Sequence, residues 1–253
     1  MESVDAKISR AGEHLETLTA EIYSFLQSAK RNTAVKVDGQ HAWITWWLDD
    51  PHPPIRLSVL VGDLVFNLRS ALDNLVCGLI RTADPGNKCR NTKFPIFVKA
   101  ERWQKNWRED LKGVPAEAQP IIKSLQPCFR EYGSPETHPL AVLNKLCNID
   151  KHRAVLFTTR IDENVRFLLR TNDGEEHPIE VVEPVYTENV VTIPLNIPPA
   201  LLLGTVNVKS SGTGYITFRE AGPWGDSPVL DVMLKCFGEV KERVIPRLQH
   251  FFR

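Results

Sequence analysis

The stretch VGDLVFNLRSALDNLV, residues 61–76, has the apolar spacing of a buried helix yet carries six polar residues. Its leucines recur at intervals of three and four, which places them on one helix face at about 100° per residue. The polar strip on another side consists of Asp63, Asn67, Ser70 and Asn74. Arg69 and Asp73 stand four apart beside this strip, a spacing that permits an ion pair. The stretch therefore predicts a helix with a core face and an ordered polar face.

Three interpretations of that polar face are open. Solvated helix faces usually favour long Lys and Glu side chains, whereas Asp, Asn and Ser are poorer helix formers. Short polar side chains in a row suit the close approach of another surface. That surface is either a neighbouring helix, with a satisfied polar network between them, or a ligand.

A second polar cluster is LNKLCNIDKHR, residues 143–153, for which we expect a helix after His138-Pro139. Asn144, Asn148 and His152 fall four apart on one face, and Asp150, Lys151 and Arg153 crowd the helix end. One interpretation is a charged helix cap, because cations complement the carbonyl-rich C-terminus. The other is that His152 and its neighbouring cations reach the Arg69 strip and form a phosphate site with an acid/base group.

The rest of the first half is also predicted to be mainly helical. An amphipathic helix is expected over about 4–29, and alternation around Asp38-Gly39 predicts a β-hairpin over 33–48. A second long helix should run over about 54–81. Two short helices should follow between 91 and 132, one with Trp103 and Trp107 four apart.

From residue 154 the period changes to short β-rich runs separated by turn residues. We expect an antiparallel meander of five or six strands over 154–222, then a closing helix over 227–251. Ser227 is the predicted N-cap, and Pro246 should kink or fray the last turns. The fold class is α+β: a helical bundle (1–153, with the hairpin), an antiparallel sheet and one closing helix, in a single domain, 1–253.

The composition and the absence of known motifs limit the partners and cofactors that we expect. Lys+Arg and Asp+Glu both number 31 in 253 residues, so the zero net charge argues against duplex DNA or anionic membranes as partners. No stretch approaches the roughly 18 apolar residues of a spanning helix, and the start lacks a signal-peptide pattern, so we expect a cytoplasmic protein. The cysteines have no C-x-x-C spacing and are expected to be reduced; they are Cys77, Cys89, Cys128, Cys147 and Cys236. No metal, nucleotide P-loop or nucleophile motif is present, and we expect no cofactor.

Two segments resemble a widespread family of uncharacterised bacterial proteins, which has a GD..hNLRSALDHL helix and a later NIDKHR segment. The matching residues here are 62, 63, 67–73 and 148–153. KFPIF (93–97) and SLQP (124–127) also fit, so the resemblance covers the helical half. It implies no activity.

A weaker resemblance is to HEPN-type helical ribonucleases, which carry an Arg followed after four to six residues by a His, in a site completed by a second subunit. Arg69 matches that Arg, but Asn74 stands where the His is expected. Asn cannot act as a general base, so either His152 substitutes or the site only binds. The resemblance implies a homodimer.

These patterns lead to two functional hypotheses. The first is a non-catalytic protein that uses its polar helix faces for self-association or for binding RNA or a nucleotide. Its binding residues would be Asp63, Asn67, Asp73, Asn74, Asn148, Asp150, Lys151 and Arg153. The second is a metal-independent ribonuclease in which Arg69 stabilises phosphate charge and His152 is the acid/base group.

Overall fold

A computed structural model describes most of the chain. The described residues are 1–38, 41–49, 52–90, 92–131, 133–161, 166–170, 175–179, 184–187, 190–195, 207–211, 214–219 and 222–252. They form two compact units, one of residues 1–20, 55–156 and 220–253, the other of residues 21–54 and 157–219.

The first unit is helical. Its α-helices are α1 (Glu2–Ser28, which continues into the second unit), α2 (Ile55–Ala83), α3 (Ala100–Asp110), α4 (Gln119–Ser124), α5 (Pro139–Asp150), α6 (Val229–Gly238) and α7 (Ile245–Leu248). Short 3₁₀ turns lie at Pro127–Phe129, Pro135–Thr137 and Gln249–Phe252. The predicted positions of all these helices are confirmed to within a few residues. No helix in the described part of the chain is long and apolar enough to cross a membrane.

Helix α2 carries the core of this unit. Its apolar face is fully buried, as the spacing predicts, through Val61, Leu64, Val65, Leu68, Ala71, Leu72, Leu75, Val76 and Leu79. At its far end, a Cβ built on Gly78 would lie 2.5 Å from the ring of Phe252, so the absence of a side chain lets the C-terminal turn pack there. Burial of this leucine face is the main stabilising contribution that α2 makes.

The second unit consists of antiparallel strands. They are β1 (Arg31–Asp38), β2 (His41–Leu48), β3 (Phe157–Ile161), β4 (Arg166–Arg170), β5 (Glu176–Ile179), β6 (Val185–Thr187), β7 (Val190–Leu195), β8 (Asn207–Ser211) and β9 (Gly214–Phe218). The strand orders are β1-β2-β7-β6, β3-β9 and β5-β4-β8. The α+β class and the hairpin are confirmed.

The strand order differs from that of a sequential meander, because β3 pairs with β9 and β4 pairs with β8. Strand β7 joins the hairpin by pairing with β2, with Ile44 opposite Ile193, and both side chains are fully buried. Pairing covers an edge of β2 that would otherwise expose unsatisfied backbone groups. Alternation in a single strand does not specify its neighbour, which is why the sequence left this pairing open.

The closing helix differs from the prediction at both ends. Pro228 rather than Ser227 occupies the N-cap position, with extended backbone (φ −54°, ψ 134°), and α6 begins at Val229. Before Pro246 the chain forms a π-helical segment, Glu239–Val244, and then continues as α7. Since proline lacks an N–H and its ring crowds the preceding turn, the irregularity predicted at Pro246 appears as a widened turn upstream of it.

Two cysteines are not reduced thiols. Cys77 of α2 and Cys89 in the following loop form a disulfide, with their Cα atoms 5.6 Å apart. The expectation of five reduced thiols is therefore wrong for this pair, although Cys128, Cys147 and Cys236 are free. The loop folds back onto α2, a tertiary event that spacing does not reveal. Disulfides persist in oxidising compartments, so this bond counts against the cytoplasmic expectation, which stays a prediction.

Candidate functional site

The Arg69–Asp73 pair forms hydrogen bonds with the backbone of Phe94, in a neighbouring loop. We call this arrangement of Arg69, Asp73 and Phe94 the Arg69 clamp. Nη2 of Arg69 lies 3.1 Å from Oδ1 of Asp73, which confirms the predicted pair. The same nitrogen donates a hydrogen bond to the carbonyl oxygen of Phe94 at 2.7 Å. The Phe94 N–H donates to Oδ1 of Asp73 at 2.8 Å. The pair therefore holds both backbone polar groups of Phe94, a fully buried residue of the KFPIF segment.

This clamp is part of the protein's architecture. The Arg69 side chain is 13% exposed. Its Nη1 is buried and has no hydrogen-bond partner among the described residues. Burial raises the pKa of Asp73, and the Arg69 guanidinium, the Phe94 amide and Lys151 only partly offset that effect. Both contacts, to Phe94 and to Asp73, are made by Nη2 of the guanidinium.

One residue of the polar strip on α2, Asn67, also makes side-chain contacts within the protein. Asn67 is buried, and its Oδ1 accepts a hydrogen bond from Nζ of Lys7 on α1 at 3.2 Å. Its side-chain amide donates to the carbonyl oxygen of Asp63, one turn earlier, at 2.8 Å. Lys7 also lies over the ring of Phe66, 5.3 Å from its centroid. The Asp63 side chain is exposed and Asn74 is half-buried.

The two polar clusters meet where α5 ends against α2. A Cβ built on Gly62 would lie 2.8 Å from Cγ of Asp150, and closer still to its Oδ1. Only a glycine admits the Asp150 carboxylate at this position. Burial, followed by the charge of Asp63, raises the pKa of Asp150. Lys151 lies near enough to Asp73 for its charge to lower the pKa of that carboxyl.

His152 and the asparagines of α5 face a different space. They line a groove of about 500 Å³, which we call the α5 groove. Its lining residues are Val98, Glu136, Ala141, Asn144, Lys145, Asn148, Ile149, His152, Arg153, Pro223 and Trp224. Of the residues predicted from the sequence, Asn148, His152 and Arg153 are in this lining, whereas Arg69, Asp150 and Lys151 are not.

Most of the ionisable side chains that line the α5 groove are basic. Lys145, His152 and Arg153 supply basic groups, and Glu136 is the one carboxylate among the described lining residues. The Glu136 pKa is lowered, first by a hydrogen bond from the Ser134 hydroxyl, so this carboxyl is ionised at neutral pH. The groove combines charges suited to an anion with amides that can orient it.

Sequence reasoning missed three of these residues. Lys145 follows Asn144 directly, and helical geometry could have placed it on the edge of the same face. Its Nζ lies over the ring of Trp224, 5.4 Å from the centroid. Trp224 is separated from α5 by more than 70 residues, and Glu136 lies in the preceding 3₁₀ turn, so neither could be assigned without the fold.

A separate buried polar contact joins the start of α5 to the π-helical segment. Nδ1 of His138 accepts the Leu140 N–H at 3.2 Å, which caps α5, and Nε2 lies 3.7 Å from Oε1 of Glu239. Burial, then the charges of Arg130 and Arg243, lowers the pKa of His138 to about 4. Burial raises the pKa of Glu239. Both shifts favour the uncharged forms, so we describe this contact as polar rather than ionic.

No group of three or more His, Cys, Asp or Glu side chains within the described ranges is arranged to hold a metal ion. Comparison with protein-family models, curated proteins and solved structures finds no match to this chain. The resemblances drawn from the sequence therefore stay predictions.

Proposed function

We propose that this protein binds a phosphate-bearing ligand, a nucleotide or an RNA strand, in the α5 groove without catalysing a reaction. The observation that carries the proposal is the convergence of Lys145, His152 and Arg153 on one cavity with a single opposing carboxylate. Its volume of about 500 Å³ is within the usual range for small-molecule sites. Charge-assisted hydrogen bonds to phosphate are stronger than neutral ones, so such a lining favours anions.

The polar residues of α2 contribute to this function indirectly. The Arg69 clamp holds Phe94, and Val98, four residues further along, lines the groove. Gly62 receives Asp150 at the end of α5, the helix that supplies most of the lining. We therefore propose the α5 groove, rather than the polar face of α2, as the binding site. The proposed role of α2 is to position the segments that line the groove.

Self-association remains part of this proposal. Ile55, Val59 and Phe66 are apolar side chains of α2 that are each more than half exposed. Exposed apolar side chains of this size are a feature of protein contact surfaces, although single ones are common on monomers.

A metal-independent ribonuclease is the second candidate function. The observation that favours it is the position of His152 beside two cations, Lys145 and Arg153, in the same groove. In that scheme His152 would transfer protons and the cations would stabilise phosphate charge. Arg69 would have no chemical role, because its guanidinium is bound to Phe94 and Asp73.

The test is a calorimetric titration with AMP and with short single-stranded RNA in EDTA, with light scattering to measure the oligomeric mass. We expect Lys145→Gln to weaken binding by roughly tenfold or more, the loss of one charge-assisted hydrogen bond. Lys151→Gln is the matched control, because Lys151 ends the same helix but lies outside the groove lining. Equal effects of the two variants would contradict the proposal. RNA cleavage in EDTA that is lost in a folded His152→Ala variant would establish the ribonuclease instead.

A further inference from the structure

We propose that a second cleft, between α3 and α4, binds a nucleobase that carries a phosphate, either as a free nucleotide or as one unit of a single strand. This aromatic cleft has a volume of about 570 Å³. Its lining residues are Trp103, Gln104, Trp107, Arg108, Ala116, Gln119, Pro120, Lys123 and Phe129. None of them lines the α5 groove, so this proposal and the proposed function can fail separately.

One wall of the aromatic cleft is a stack of rings. The rings of Trp103 and Trp107 are nearly parallel, 8° apart, with centroids separated by 6.4 Å. Trp103 is buried and is held by edge contacts with Phe97 and Phe129, each with centroids 5.9 Å apart. Trp107 is only half-buried. A fixed ring with accessible surface is the arrangement on which bases stack in single-strand binding proteins.

The cleft is also cationic. The Arg108 guanidinium lies 4.9 Å from the centroid of the Trp107 ring, and Nζ of Lys123 lies 5.2 Å from that of Phe129. No carboxylate is among the described residues that line the cleft. The acidic residues Glu101 and Glu109 of the same helix are outside this lining.

This combination selects one class of ligand. Two cations beside the rings disfavour a quaternary ammonium ligand, which aromatic sites otherwise attract. A neutral aromatic ligand would leave the cations without a counter-charge. A base that carries a phosphate can contact both the rings and the cations of the cleft. Its ring can stack on Trp107 while its phosphate binds Arg108 or Lys123. The side-chain amides of Gln104 and Gln119 add hydrogen-bonding groups at the cleft wall.

The experiment follows the Trp107 indole N–H resonance of the full chain, assigned through Trp107→Phe, during titration with AMP, adenosine or ribose 5-phosphate. We expect AMP to shift this resonance and to bind more tightly than either fragment. Followed through the indole N–H resonance of Trp103, which lines the same cleft, Trp107→Ala should raise the Kd for AMP by between about 5-fold and 150-fold, the range for removing one base-stacking contact. Titration with oligo(A) tests whether the ligand is a single strand. A Kd for oligo(A), expressed per nucleotide, below the Kd for AMP would indicate that it is.

Matched variants separate the cleft from general electrostatics, and the Trp107 resonance reports on the cleft because Trp107 does not line the α5 groove. Arg108→Gln should weaken AMP binding while leaving adenosine binding unchanged. Lys105→Gln, an exposed cation of the same helix outside the lining, should leave both unchanged. A resonance that AMP and oligo(A) leave unmoved would overturn the proposal, as would equal effects of the Arg108 and Lys105 variants. If Trp107→Ala does not fold, Trp107→Phe and Arg108→Gln carry the same test.

Discussion

Replacing Arg69 by alanine should destabilise the protein without removing a direct contact to a ligand in the α5 groove. The variant loses a charge-assisted hydrogen bond to a buried carbonyl, that of Phe94, which is worth about 1.5 to 3 kcal/mol. The i,i+4 pair with Asp73 adds at most about 0.5 kcal/mol, because a third of the Asp73 side chain is exposed. We expect the free energy of unfolding to fall by roughly 1.5 to 3.5 kcal/mol.

Chemical denaturation measures that free energy, and calorimetry should show a melting temperature lower by roughly 3 to 14 °C for a chain of this size. Arg10→Ala is the matched control, since Arg10 forms only an exposed pair with Glu13 and should cost under about 0.5 kcal/mol. Asp73→Asn should combine non-additively with Arg69→Ala, because both side chains hold the Phe94 peptide. An Arg69→Ala variant as stable as Arg10→Ala would refute the clamp. A stable variant that had lost ligand binding would return Arg69 to the functional site.

Three further predictions concern the Gly62–Asp150 contact, His138 and the disulfide. Gly62→Ala should lower the melting temperature by displacing Asp150, and Asp150→Ala should recover part of the loss; a Gly62→Ala variant with unchanged melting would contradict the close approach. Because the pKa of His138 is lowered from 6.5 to about 4, the unfolded chain binds a proton that the folded protein excludes. The free energy of unfolding should therefore fall as pH drops from 6.5 toward 4, by about 3 kcal/mol at most. This decline should be smaller in His138→Gln. Identical pH profiles of the two proteins would show that His138 is not its cause. Without reductant, the denatured protein should show three reactive thiols rather than five. Reduction of the Cys77–Cys89 bond should lower the free energy of unfolding by up to about 3 kcal/mol. Five reactive thiols would exclude the bond.

The candidate site shows why sequence reasoning succeeded only in part. The i,i+4 spacing of Arg69 and Asp73 was sufficient to predict their pairing, because helix geometry alone brings such side chains together. The same spacing could not identify Phe94 as the group they hold, since it belongs to another segment. The prediction that His152 and Arg69 share a site is not supported by the groove lining, which includes only His152.

What the sequence determined by itself is local: the α+β class, the positions of the helices, the leucine face of α2 and the presence of a hairpin. These features depend on periodicities of a few residues, which are set by backbone geometry and by which face is removed from water. Only the tertiary structure decided which segments meet: β7 on β2, Asp150 on Gly62, and Lys145 over Trp224 in the α5 groove. Those contacts join residues that are far apart in the chain, and they form because many segments bury their apolar surfaces at once, a choice that no single segment encodes.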